Sequence, residues 1–251
     1  MAMFAGTAYF LIREVLPRLA ARRNVLSIAR MSMRWAPEDI VEVLASRGES
    51  HDAAQFEALR AGPPVYSTRE FFGLLGFGAY DDVDFDPEAA TIVHDLNSPL
   101  PDRFEDRYDL VVENGTIEHI FDIRSAVSNI ARTVRTGGIL CHVSPLDALN
   151  HGFYNFSVNF FQDFYCGNGF GEAQFYLLRY SRDWEEDEHV DIQPLPYTHE
   201  EFHFPPEVHT SKYAKHHIGF VARKLRHVPQ PRVPIQAAYD PALGLRSRLS
   251  K

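Results

Sequence analysis

Residues 108–122 read Tyr-Asp-Leu-Val-Val-Glu-Asn-Gly-Thr-Ile-Glu-His-Ile-Phe-Asp, and residues 135–145 read Arg-Thr-Gly-Gly-Ile-Leu-Cys-His-Val-Ser-Pro. The pattern predicts a buried strand, a polar loop, a helix, a Gly-Gly turn and a second strand. That order sets Glu113, Asn114, Glu118 and His119 at the carboxyl end of a strand, where open α/β sheets bind ligands.

Working outward, short apolar runs predict further strands at 24–29, 79–85, 91–94, 173–180 and 217–223. With 108–112 and 139–143 they make seven. A helix is predicted to open at Ala36-Pro37-Glu38-Asp39, with proline and acids in its first turn. Another follows Ser67, whose partner Glu70 completes a capping box. A third carries Ile123, Val127, Ile130, Ala131 and Val134 on one stripe and is expected to stop at Gly137-Gly138. Residues 158–165 form a short aromatic helix, and Phe4, Ala8, Leu11, Ile12, Val15 and Leu16 share one face of an N-terminal one. Residues 30–34 read as a loop and 48–64 as an irregular excursion. The alternation implies a Rossmann-like α/β fold: a doubly wound, mostly parallel seven-stranded sheet with helices on both faces. The expected organisation is one α/β domain over residues 1–225 and a proline-spaced C-terminal tail over 226–251.

A net charge of -9 gives no general attraction to nucleic acid or anionic membranes. Two cysteines, Cys141 and Cys166, exclude a disulfide framework and a cysteine-rich zinc site. No apolar run reaches the 18 or more residues of a membrane span, and Arg13 and Glu14 interrupt the apolar N-terminus. A soluble, cytoplasmic protein is expected, with a small-molecule partner, no nucleic acid and no membrane; a homodimer is compatible with the sequence.

Three motifs taken together resemble the class I S-adenosylmethionine (SAM)-dependent methyltransferase superfamily, and within it a bacterial methyltransferase-like subgroup. They are Asp95-Leu96-Asn97, Gly115-Thr116-Ile117-Glu118-His119, and Asn150-His151-Gly152-Phe153-Tyr154-Asn155-Phe156-Ser157. The resemblance spans roughly residues 22–225. It implies SAM as cofactor and methyl transfer to an oxygen, less readily a nitrogen, of a small polar acceptor such as a glycan or secondary-metabolite precursor. The family's glycine-rich turn after the first strand is replaced here by Ser27-Ile28-Ala29-Arg30-Met31-Ser32-Met33, which holds no glycine. Either Ala29, Arg30 and backbone amides hold the cofactor carboxylate in a variant turn, or the cofactor site is lost.

By resemblance Asp84 accepts the ribose hydroxyls, Asp95 the adenine amino group, and Leu96 offers a backbone amide. Asp84 could equally belong to a solvated acidic turn with Asp81, Asp82 and Asp86, and Asp95 could be a cap. The same resemblance implies that Glu113, Asn114 and Gly115 pass beneath the sulfonium, glycine permitting close approach. Glu118 and His119 suit two chemistries, general base catalysis by His119 or, with Glu113, a divalent metal site; they could also simply cap a helix. The expectation is catalysis by His119, His151 and Glu118 without metal, with Tyr154 and Asn155 binding substrate. His199, His203, His209, His216 and His217 match no tight ligand spacing, and Glu185-Glu186-Asp187-Glu188 reads as a solvated loop or a lid.

Two rivals stand beside this reading: a catalytically inactive binding or regulatory protein of the same shape, and a metal-dependent hydrolase or lyase using Glu113, Glu118, His119 and His151. A nicotinamide dehydrogenase is disfavoured because Gly-x-Gly-x-x-Gly is absent.

Overall fold

The structure, a computed structural model, describes residues 2–88, 90–148, 150–180, 190–196 and 215–240. Its main sheet contains β1 (Asn24–Ile28), β2 (Ala79–Asp84), β3 (Ile92–Val93), β4 (Tyr108–Asn114), β5 (Val134–Pro145), β6 (Phe170–Tyr180), β7 (Asp191–Leu195) and β8 (Lys215–Lys224). Their spatial order is β7-β6-β8-β5-β4-β1-β2-β3. The five strands from β3 to β5 are parallel, while β8 lies antiparallel between β5 and β6. The strand order reverses between β1 and β4, which is the topological switch point of a doubly wound sheet.

Every residue of β4 is buried, because the sheet is covered on both sides. Val25, Leu110, Val112, Ile139 and Cys141 face α1 (Ala5–Phe10), α2 (Pro37–Ser46), α3 (Ala53–Arg60) and α4 (Thr68–Leu74). The alternate residues Leu26, Ile28, Val111 and Leu140 face α5 (Ile123–Thr133) and α6 (Val158–Phe161). The expected capping box at Ser67 and Glu70 is present, as is Pro37 in the first turn of α2. Asp122 caps α5 by accepting the Ser125 amide. At the other end of that helix Lys224, almost fully buried, donates to the carbonyls of Ala131 and Val134. Those carbonyls would otherwise be orphaned at the helix end. Burial holds the Lys224 amine down at about 8.

Four expectations are corrected. The sheet has eight strands, not seven, because β7 adds an antiparallel edge that its short, proline-containing sequence conceals. The excursion at 48–64 holds α3, capped by Asp52. The loop at 30–34 contains a two-residue strand, Ser32–Met33, which joins Ala2–Met3 and Tyr66–Ser67 in a separate three-stranded sheet. Gly137-Gly138 does not end α5. The chain enters β5 already at Val134, and the glycines form an irregularity opposite Asp109. Of the tail, residues 226–240 run along Gln162–Cys166 and Asn168, with the Arg232 and Ala237 amides bonded to Asn168 and Asp163. Residues 241–251, the run 185–188, and His199, His203 and His209 lie outside the described residues. No helix among the described residues is long and apolar enough to cross a membrane.

A methyl group at Gly138 would stand 2.8 Å from the Tyr108 carbonyl oxygen and 2.9 Å from that of Arg135. Both are backbone atoms held by the β4–β5 pairing. Gly138→Ala is therefore expected to lower stability by about 1–3 kcal/mol, read from the urea midpoint; an unchanged midpoint would show that the bulge yields.

Candidate active site at the switch point

The turn after β1 keeps a glycine-like backbone without glycine: Ala29 has φ 71°. A non-glycine residue there costs on the order of 1–3 kcal/mol unless its surroundings enforce it. They do. Ala29 N–H donates to the Val83 carbonyl at 2.9 Å, the Ser27 hydroxyl donates to the Ala29 carbonyl at 2.8 Å, and the Thr116 hydroxyl donates to that of Ile28 at 3.0 Å. The Arg30 amide donates to Asp84 Oδ2 at 3.1 Å. These bonds correct one expectation: the Ala29 and Arg30 amides are committed to the protein, leaving the exposed Arg30 side chain as the cationic group at the turn. Met31, 1% exposed, packs into the core with its sulfur 3.6 Å from Asn114 Nδ2.

Asp84 stands at the end of β2, each carboxylate oxygen accepting one backbone amide, from Arg30 and Asp86. A carboxylate oxygen has room for a second donor. Phe85, the next residue, is 80% exposed. Sequence reasoning passed it over, although an aromatic ring directly after a strand-end carboxylate was there to be read. Asp95 accepts the amide and side chain of Asn97, and those bonds hold its carboxyl below the usual range; this is the turn-cap geometry. Leu96 is buried among apolar neighbours.

Glu113 is turned inward and fully buried. Its carboxylate accepts from the Thr116 amide (2.7 Å), the Ile117 amide (3.2 Å), the Ser144 hydroxyl (2.8 Å) and His142 Nδ1 (2.9 Å). His142 Nε2 lies 2.7 Å from the Tyr165 hydroxyl. The set is consistent with Nδ1 carrying the imidazole proton and Tyr165 donating to Nε2. Burial favours protonating Glu113, but the bonds from His142, Thr116 and Ser144 outweigh it and hold the acid below its usual range. His142 was not singled out from the sequence; its only signal was a polar residue inside the apolar run 139–143.

Glu118 has the opposite fate. Its side chain is 0% exposed, and neither oxygen has a hydrogen-bond partner. Burial first, and the Glu113 charge second, push its pKa up to about 8. Its Oε1 stands 3.4 Å from His151 Nε2 and 3.9 Å from His119 Nε2, and the two imidazole rings meet edge to face at 4.9 Å. His119 is pulled below its ordinary value by burial and by His151. Two loops build this cluster. Gly115, at φ 70°, turns the first one. Gly152 lets the second pack against it, since a Cβ there would lie 2.7 Å from the Glu118 carbonyl oxygen. The Phe153 amide donates to that same oxygen at 2.7 Å.

The cluster opens onto a cavity of about 620 Å³ that also touches Asn114, Gly115 and His217, with Thr7 and Tyr180 opposite. A larger groove of about 710 Å³ along β6 and β7 offers one carboxylate, Glu172, and no histidine. The paired histidines and the buried carboxylate therefore gather at the first. Tyr154 and Asn155 are not on its wall. Tyr154 donates to the Phe121 carbonyl and Asn155 accepts the Ala148 amide, so both serve to shape the loop that carries His151.

No family model matches the chain, and no curated protein matches it. Among solved structures it is similar to SAM-dependent methyltransferases. One from Thermotoga maritima shares 14% identity at TM-score 0.45, with 86% of this chain and 89% of that one covered. One from Archaeoglobus fulgidus shares 10% at 0.42, covering 86% and 92%. The Burkholderia thailandensis 1,6-didemethyltoxoflavin-N1-methyltransferase, solved with S-adenosylhomocysteine, shares 12% at 0.42, covering 88% and 78%. These likenesses are distant, and the fold assignment rests on the strand order of this chain.

His217 Nδ1 is sealed from solvent without a partner, and burial, with the charges of His151 and Lys215, lowers the ring from 6.5 to about 4. The folded protein thus keeps it neutral where the unfolded chain protonates it. Its contribution to stability is complete above pH 6.5 and is lost as pH falls toward 4. Melting curves should therefore show wild type losing more stability than His217→Gln between pH 7 and 4.5; equal losses would contradict this.

Proposed function

We propose that the protein transfers a methyl group from SAM to an oxygen, in preference to a nitrogen, of a small polar acceptor of the glycan or secondary-metabolite-precursor class. One observation carries the reading. The left-handed turn at Ala29, tied to Asp84 on one side, lies on the other beside β4, whose end Asn114 and Gly115 form the lip of the Glu118–His119–His151 cavity. Ligand-binding edge and reactive cavity are thus continuous at the switch point, where doubly wound sheets take their ligands.

The residues fit the cofactor. Asp84 keeps acceptor capacity for ribose hydroxyls, the exposed ring of Phe85 offers a face for a planar base, and Asp95 and Leu96 follow along the same edge. The Arg30 guanidinium would meet the carboxylate, in place of the amides expected from the sequence. When bound, SAM supplies a methyl group on a cationic sulfur, so the protein's task is to align the acceptor and exclude water. His119, held neutral by burial, presents an imidazole nitrogen that can take the acceptor's proton. Glu118, its pKa raised to about 8 by burial, stands 3.4 Å from His151 and adds little negative charge beside the two rings.

Calorimetric titration of the full chain with S-adenosylhomocysteine tests the reading first. Binding is expected, and Asp84→Ala should weaken it by roughly 10–100-fold, the worth of hydrogen bonds to a charged group. No heat of binding in the wild type would favour the inactive binding protein instead. With labelled SAM and small-molecule extracts as acceptor source, His119→Ala should retain S-adenosylhomocysteine binding and lower methyl incorporation by about 10²–10⁴-fold. Unchanged incorporation would remove His119 from the reaction.

A further inference from the structure

We propose that Glu118, His119 and His151 form a site for one divalent first-row transition cation of the zinc, manganese or iron class, open toward the cavity. Among the described residues this is the group whose carboxylate and imidazole ligand atoms gather within 4.8 Å of one another. The second observation is independent of that clustering. Glu118 is fully buried and its two oxygens have no donor at all, a state that native proteins avoid. A cation at this point supplies the missing partner.

The spacing suits it. Ligands about 2.1 Å from a tetrahedral ion lie roughly 3.4 Å from one another. Glu118 Oε1 and His151 Nε2 are already 3.4 Å apart, and His119 Nε2, on a side chain 42% exposed, needs to close only from 3.9 Å. Two imidazoles and one carboxylate are a donor set that selects transition metals over magnesium or calcium. Three protein ligands leave the remaining positions to the cavity side, as in catalytic rather than structural sites. Gly115 and Gly152 keep side chains out of the space around Glu118.

Cation binding stands by itself; its role rests on the methyl transfer proposed above. With the ion in place His119 and His151 are ligands, and the cation takes over from the His119 base of the metal-free site the task of acidifying the acceptor hydroxyl. The hydroxyl O–H bond breaks and its proton leaves to water at the cavity mouth. The oxygen pair forms the new O–C bond as the C–S bond breaks, leaving a neutral thioether.

The test uses the full chain after chelator treatment and dialysis, titrated with Co²⁺ as a spectroscopic probe and with Zn²⁺ and Mn²⁺ by calorimetry. One equivalent is expected, with visible Co²⁺ bands. Glu118→Gln and His151→Ala should each weaken binding tenfold or more and abolish the bands. The second variant changes an exposed ring, so loss of folding does not confound it. Binding of equal strength in both variants, or none at 1 mM probe, overturns the site. S-adenosylhomocysteine titrated in the same samples separates the two claims: bound cofactor product without cation sinks this inference alone, and bound cation without cofactor product sinks the methyltransferase reading while leaving the site.

Discussion

The ionised carboxylate of Glu113 is the constraint from which the rest of the site follows. A charge with no solvent contact is tolerable only when its lone pairs are filled by well-placed donors. Here the donors come from three places: β5 through His142 and Ser144, the 115–119 loop through two amides, and at one remove Tyr165 in the helical segment that continues α6. The sheet, the loop and the covering helix layer are thereby fixed to one another at a single point. Satisfying Glu113 also fixes what Glu118 can be. Burial above all, and second the repulsion of the Glu113 charge, keep Glu118 protonated unless a positive partner arrives.

The two loops that meet at Glu118 are each shaped by bonds that face away from the cavity. Thr116 is anchored to β1, Phe153 to the Glu118 carbonyl, and Tyr154 to Phe121. The imidazoles of His119 and His151 are thus delivered by backbone geometry and remain half exposed. Across the cavity the Thr7 hydroxyl lies within hydrogen-bonding distance of both Asn114 and Tyr180, which ties the N-terminal segment to β4 and β6. These three residues of the cavity lining are polar and uncharged, and Asp147, Lys215 and His217 line the cavity with them.

The sheet and most of its helices were legible because their signals are local: alternating burial on both faces, a capping box, a proline at a helix start. Elements stabilised by distant partners were not. The strand Ser32–Met33 exists because Ala2–Met3 and Tyr66–Ser67 flank it, and β7 because β6 offers an edge. Gly137-Gly138 looked like a helix stop, yet Lys224, some ninety residues away, caps that helix. In the site, the sequence order placed Gly115, Glu118, His119 and His151 at one sheet edge, and the structure gathers them around one cavity. The sequence order could not distinguish Glu113 from Glu118, since two carboxylates five residues apart acquire opposite ionisation only from tertiary donors. Nor could it show that the polar atoms of Tyr154 and Asn155 bond the Phe121 carbonyl and the Ala148 amide.

The small three-stranded sheet has a further effect on the turn at Ala29. Because residues 32–33 are drawn into it, α2 starts only at Pro37, and no helix N-terminus directly follows β1. The focused field of aligned amide dipoles that usually awaits an anion there is displaced from the turn. On the proposed reading the counter-charge is the guanidinium of Arg30, on a solvent-exposed residue. Mobile counter-ions dull such a contact within a Debye length of roughly 8 Å at physiological ionic strength. Cofactor retention in this protein then becomes a function of the electrolyte around it, a sensitivity that a dipole-lined pocket largely escapes.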